Sequence, residues 1–191
     1  MRVGDWPMKS MRIRIADMRL LVALFALLVG SGAACADAFS DLRIIRPHVS
    51  LPAPDLDLSD LGGRTTRLSD LRGKIVILNF WATFCAPCRE ELPSLQRLAR
   101  RYADKGVVVL AVAEDRGGRA AVAPYLKKNG FTLPVLLDPS GAVRKRYEVR
   151  VFPMTYIIGR DGHILGLAIG ARDWFGAAAR RLLDPLINTP P

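Results

Sequence analysis

The chain has 191 residues, half of them hydrophobic and 24% charged, with a formal net charge of +10. That balance suits one globular domain and excludes both a disordered tail and a collagen-like repeat. The arginines and lysines are scattered among acids, with no aromatic-basic motif, so nucleic acid is not an expected partner.

Residues 20–29 form an unbroken apolar run, preceded by Arg12, Arg14 and Arg19 and followed by Gly30, Ser31, Gly32 and Ala33. This is the pattern of a secretory signal, and it is short for a membrane span. Small residues at Ala36 and Ala38 offer a cleavage site that leaves Phe39 first, and Ala34 to Ala36 offer another. Cys35 as a lipid attachment point, or an uncleaved anchor, would instead tether the domain to the membrane. The expected division is a signal over residues 1–38, a loosely held lead-in over 39–51, and the folded domain over 52–191.

Pro52 and Pro54 fix an extended entry. Alternation at Leu56 and Leu58, a turn at Gly62 and Gly63, and the Thr65–Leu68 run predict a short β-hairpin, after which Ser69 or Asp70 caps a helical turn. Residues 75–80 are apolar on both faces, as in a central strand covered on each side. A helix over about 87–101 carries Leu92, Leu95 and Leu98 and is interrupted by Pro93. A second doubly apolar strand (107–113), a helix over 120–128 bent or begun by Pro124, a short strand (134–137) and a short helix (142–147) follow. Strands over 154–158 and 164–169 flank an Asp161-Gly162 hairpin turn. Asp173 caps a final helix to about Leu186, with Phe175, Ala178, Leu182 and Leu183 as its packing stripe. The pattern predicts a mixed α/β sheet with helices on both faces.

Three cysteines occur: Cys35, Cys85 and Cys88. If Cys35 leaves with the signal, one Cys-x-x-Cys pair remains, which excludes a disulfide-stapled scaffold. Structural zinc wants four ligands, and His48 and His163 lie far from the pair in sequence, so no metal is expected. The pair falls between a strand and a helix. A helix N-terminus offers free N–H groups and a positive dipole end, which favour a thiolate at Cys85 as attacker. Cys88, one turn on, can displace a mixed disulfide, and Pro87 between them withholds an N–H where the helix needs none.

The segment from Asn79 to Glu91, with Pro93 beyond it, resembles the active-site stretch of thioredoxin-fold oxidoreductases. Ala53, Pro54 and Asp55, the Leu68–Lys74 stretch, Val109–Gly118, Leu137–Pro139 and Gly170–Trp174 resemble the TlpA/ResA-like branch of exported reductases. The resemblance implies a thioredoxin-like mixed sheet with an N-terminal β-hairpin extension. It also implies a cis proline at Pro153, with the backbone at Phe152 pairing with an extended substrate, and a substrate rim of Phe84 and Pro87, with Trp81 as a packing or rim residue. Two positions depart from related sequences: Phe84 replaces a common tryptophan, and Asn79 stands where thioredoxin has a buried aspartate. Glu114, at the end of its strand, is then the candidate proton acceptor.

The implied activity is periplasmic thiol-disulfide exchange by a monomer of one domain, reducing exported protein clients in cytochrome c or copper-site assembly. It would need a membrane electron donor and no cofactor beyond the Cys85–Cys88 disulfide. Competing readings are a disulfide-introducing oxidase, a copper-binding assembly factor using the pair with Met154 or His163, and a non-catalytic binding module.

Overall fold

The computed structural model describes residues 38–188, so the apolar run and the candidate cleavage sites before residue 38 lie outside the described residues. A small antiparallel hairpin comes first, β1 (Asp57–Ser59) and β2 (Thr65–Arg67). Asp60 shapes its turn by accepting the N–H groups of Gly62 and Arg64 at 2.7 and 3.0 Å. A single 3-10 turn, Ser69–Leu71, follows. Neither Ser69 nor Asp70 caps it. Asp55 does so from outside, accepting the Ser69 N–H at 3.0 Å, because Pro54 and its neighbours bring that carboxylate alongside.

The main sheet has five strands. Its centre is β3 (Ile75–Trp81), buried at every position, as an apolar run without alternation requires. β4 (Val107–Ala113) runs parallel to it, in register from Ile75 opposite Val107 to Trp81 opposite Ala113. β5 (Val135–Leu137) is parallel to β4, whereas β6 (Met154–Ile158) is antiparallel to β3 and β7 (Ile164–Ile169) to β6.

Ile75, Ile77 and Trp81 share one core with α1 (Ala86–Tyr102), α2 (Gly118–Asn129) and α4 (Ala177–Asn188). Leu92, Leu95 and Leu98 form the stripe of α1 and are almost completely buried, each stabilising the fold by about 2 kcal/mol. The other face, through Val76, Leu78 and Phe80, packs on the hairpin and on α3 (Ala142–Arg146). Pro93 does not interrupt α1, which is continuous around it. Only the N–H that would reach the Arg89 carbonyl is missing, and the flanking turns hold. Asp173 caps a turn ahead of α4 by accepting the Phe175 N–H at 3.0 Å, and α4 itself begins at Ala177. Its buried stripe is Ala179, Leu182 and Leu183.

Residues 38–45 are firmly docked. Ala38, Phe39, Leu42 and Ile44 are buried in the same core as α1. Ile45 bridges β7 through paired 2.8 Å hydrogen bonds with Leu167. The mixed sequence hid an apolar spacing at 39, 42 and 44 that suits a helical turn followed by an edge bridge. Gly166 admits this segment, since a Cβ there would run into Ile44 and lie 3.1 Å from the Phe39 ring.

Candidate active site

β3 delivers the chain to the turn that carries the first cysteine. Asp115, at the end of β4, accepts the Thr83 N–H at 3.0 Å and its hydroxyl as well, and Cys85 N–H returns to the Ala82 carbonyl at 3.2 Å. Cys85 is the N-cap of α1, extended in backbone, with its Sγ accepting the Cys88 N–H at 3.3 Å. Pro87 lies in the first turn, where no intrahelical donor is required.

The two cysteines form a disulfide, Cα to Cα 5.3 Å. Their environments differ: Cys85 is partly exposed and Cys88 fully buried. When the bond opens, the exposed sulfur keeps the helix N-terminus and the Cys88 N–H as partners for negative charge, whereas the buried one has lost water.

The register that pairs Phe80 with Met154 places the preceding Pro153 beside the end of β3, where the cysteine turn begins. The Phe152-Pro153 bond is cis. Phe84 is 70% exposed and Val151 50%, giving an apolar, solvent-facing margin on the two loops. Phe152 is half-buried and Pro87 exposed. Trp81 is not part of that margin. It is fully buried, its ring 5.8 Å from that of Tyr125, because the last residue of β3 points into the α1 core.

A buried carboxyl lies one turn beyond Cys88. Glu91 Oε1 accepts the Asn79 side-chain amide at 2.6 Å, while Oε2 accepts the Arg172 N–H at 3.0 Å and the Trp174 indole N–H at 3.2 Å. Burial pushes Glu91 up to about 7, against the lowering effect of these donors. Asn79 also donates to Thr155 at 2.9 Å, leaving its own Oδ1 without a partner. From Arg172 the chain leads back to Gly170, whose N–H meets the Pro153 carbonyl at 2.8 Å. The carboxyl, the cysteine helix and the cis-proline loop are thus joined.

Glu91 escaped the sequence reading, yet its signal was present. Continuing the Leu98, Leu95, Leu92 stripe towards the N-terminus reaches Glu91 and Cys88 on the same buried face. Glu114 is also buried, and burial with the nearby Asp138 charge raises it to about 8. Its side chain, however, meets Arg144 at 3.4 Å, and no bond joins it to either cysteine.

Met154 belongs to the core on the sheet face opposite Cys88, and His163 pairs with Asp161 at 3.1 Å, so the structure does not bring either to the thiol pair. No cluster of three or more His, Cys, Asp or Glu suited to a metal occurs among the described residues. No described helix is long and apolar enough to cross a membrane.

Thioredoxin-superfamily thiol-disulfide oxidoreductases are the class that this fold and this dithiol turn define. The model of the AhpC/TSA family matches residues 49–166. Thiol-disulfide oxidoreductase ResA of Bacillus cereus is 33% identical over 149 residues, covering 77% of this chain and 86% of the relative. Thioredoxin-like protein YneN of Bacillus subtilis is 38% identical over 119 residues, 62% of this chain and 69% of its own. Among solved structures, a putative thiol:disulfide interchange protein DsbE from Chlorobium tepidum aligns with a TM-score of 0.67 at 29% identity, covering 73% of this chain and 97% of its own. The chain belongs to the AhpC/TSA family, as a ResA-like thiol-disulfide oxidoreductase.

Proposed function

We propose that this oxidoreductase works as a reductase of exported protein disulfides, with Cys85 as attacking thiolate, Cys88 as resolving thiol and Glu91 as the proton acceptor for Cys88. The observation that carries the reading is the asymmetry of the pair: an accessible sulfur at a helix N-terminus, and a buried one a single turn above a buried carboxyl. The Cys85 thiolate attacks one sulfur of the client disulfide and releases the other as a client thiolate, leaving a mixed disulfide. Cys88 then gives its proton to Glu91 and attacks Cys85 Sγ. The second client thiolate leaves, and two electrons have passed from the pair to the client.

Phe84, Pro87, Phe152 and Pro153 form the seat for an extended client segment in this reading. Glu114 stays with Arg144, since Glu91 is on the cysteine helix itself and Glu114 is not. The apolar run at residues 20–29 supports export to the periplasm, soluble or tethered. There a membrane donor must return electrons to the pair, and the pair serves as the whole redox centre of a monomer without added cofactor. Clients in cytochrome c or copper-site assembly follow from the TlpA/ResA-like resemblance.

Cys88→Ser should leave clients covalently bound through Cys85, recoverable by reduction, and Cys85→Ser should trap none. A reduction potential near that of thioredoxin, about −270 mV, supports the reducing direction, whereas one near −120 mV assigns the protein to disulfide introduction.

A further inference from the structure

Beside the thiol site, a groove of about 720 Å³ runs between α1 and α2, lined by Arg89, Pro93, Arg97, Tyr125, Lys128 and Phe131 among others. Its charge has one sign. Three exposed cations line it and no carboxylate does. Among the described residues, none of the three lies within salt-bridge distance of an acid. Glu90 and Asp173 line a separate hollow on the far side of Arg97, so Arg97 borders both while Arg89 and Lys128 face only the groove.

Aromatic rings make its floor. Tyr125 and Phe131 stack with centroids 6.2 Å apart, and Tyr125 rests against the buried Trp81. Arg97 is held over the Phe175 ring at 5.3 Å, so part of its ordering cost is met before anything binds. The groove opens at the reactive end of the helix, for Arg89 directly follows Cys88 and its N–H meets the Cys85 carbonyl at 3.2 Å. From Arg89 to Arg97, α1 rises about 12 Å, the length of three to four extended residues.

We propose that this groove receives an acidic stretch of the client, three to four residues long, beside the cysteine that Cys85 attacks, and that it selects clients by charge. The inference rests on the thiol-exchange reading above. Carboxylates of such a stretch meet Arg89, Lys128 and Arg97, while its aliphatic or aromatic portions lie on Tyr125 and Phe131. Charge complementarity of this kind acts mainly on the encounter rate and weakens with salt.

The test uses the full protein and three synthetic peptides with the same disulfide loop, flanked by aspartates, glutamines or lysines. At low ionic strength kcat/KM should favour the aspartate peptide over the glutamine peptide roughly tenfold, and near 1 M salt the advantage should vanish. Combining Arg97→Glu with Lys128→Glu should abolish the preference for the aspartate peptide over the glutamine peptide. Lys128→Glu alone, at an exposed position, should reduce the preference severalfold even if the double variant folds poorly. Equal rates for aspartate and glutamine peptides, or a preference that survives the charge reversals, overturns the proposal and leaves thiol exchange standing. Failure to reduce any peptide overturns the exchange reading and this inference with it.

Discussion

Replacing Glu91 with glutamine separates proton transfer from architecture. The glutamine carbonyl can keep the Arg172 and Trp174 donors, and its amide then faces Asn79, whose Oδ1 has no partner. A half-turn of the Asn79 amide presents that oxygen to both the new amide and the Thr155 hydroxyl, keeping both contacts without a titrating group while the Asn79 nitrogen takes the position that has no partner. Native Glu91 is raised from 4.5 to about 7, which corresponds to about 3 kcal/mol. Between those values the folded protein binds the proton more tightly than the unfolded chain does. This contribution is therefore fully present below about pH 4.5 and lost as pH rises through about 7. Urea unfolding of the oxidised proteins, in which neither cysteine titrates, should show the native protein losing about 3 kcal/mol relative to Glu91→Gln between pH 4.5 and 8. In stopped-flow assays, resolution of the mixed disulfide should slow by roughly 10²-fold or more in the variant, and the native rate should fall as pH drops below about 7. Parallel stability curves together with an unchanged resolution rate would refute both the burial argument and the assigned role.

Trp174→Phe removes the indole donor to Glu91 while filling most of the same space, so the midpoint of the resolution rate against pH should move upward. An unmoved midpoint would show that this bond does not tune the carboxyl. Asp115→Asn leaves one acceptor oxygen for the two Thr83 donors, and thermal unfolding should report a loss of about 1–2 kcal/mol. Faster alkylation of reduced Cys85 should accompany it as the turn loosens. Gly166→Ala drives a methyl into Ile44 and Phe39, at a cost of about 1–3 kcal/mol. Limited proteolysis should then cut between residues 38 and 50 while turnover of a small disulfide peptide is retained; uncut protein would count against the docking of that segment.

Strong periodicity made most of the fold readable. β3 and β4 announced themselves as unbroken apolar runs, and the Asp161-Gly162 turn located the β6–β7 hairpin with its strand limits. What stayed hidden depended on distant partners. Phe39, Leu42 and Ile44 look like scattered apolar residues until β7 and α4 are present to receive them. Asp55 is separated by many residues from the turn it caps, so Ser69 and Asp70 looked like better candidates. At the site, Cys85, Cys88 and Pro153 were legible because their chemistry is tied to a short motif or a recognisable loop. Glu91 was not, because a glutamate among arginines and glutamates on α1 reads as solvated until the helix is turned and the acid is found beneath the thiol. Trp81 read equally as packing or rim, and it is the packing role that holds, because its side of the sheet is decided by strand register, which only the folded sheet supplies.

Both margins of the five-stranded sheet are met by chain that precedes it: Ile45 bridges β7, Pro52 bridges His163 just ahead of β7, and Asp60 bridges β5. Unpaired margins invite other polypeptides to add themselves, and here an early stretch of sequence occupies the vacancy. The closure also imposes an order of events. Asp60 meets Leu136 as soon as β5 is made, whereas Ile45 and Leu51 find their mates only when Leu167 and Ile164 have followed, so the β7 margin is the later of the two to seal.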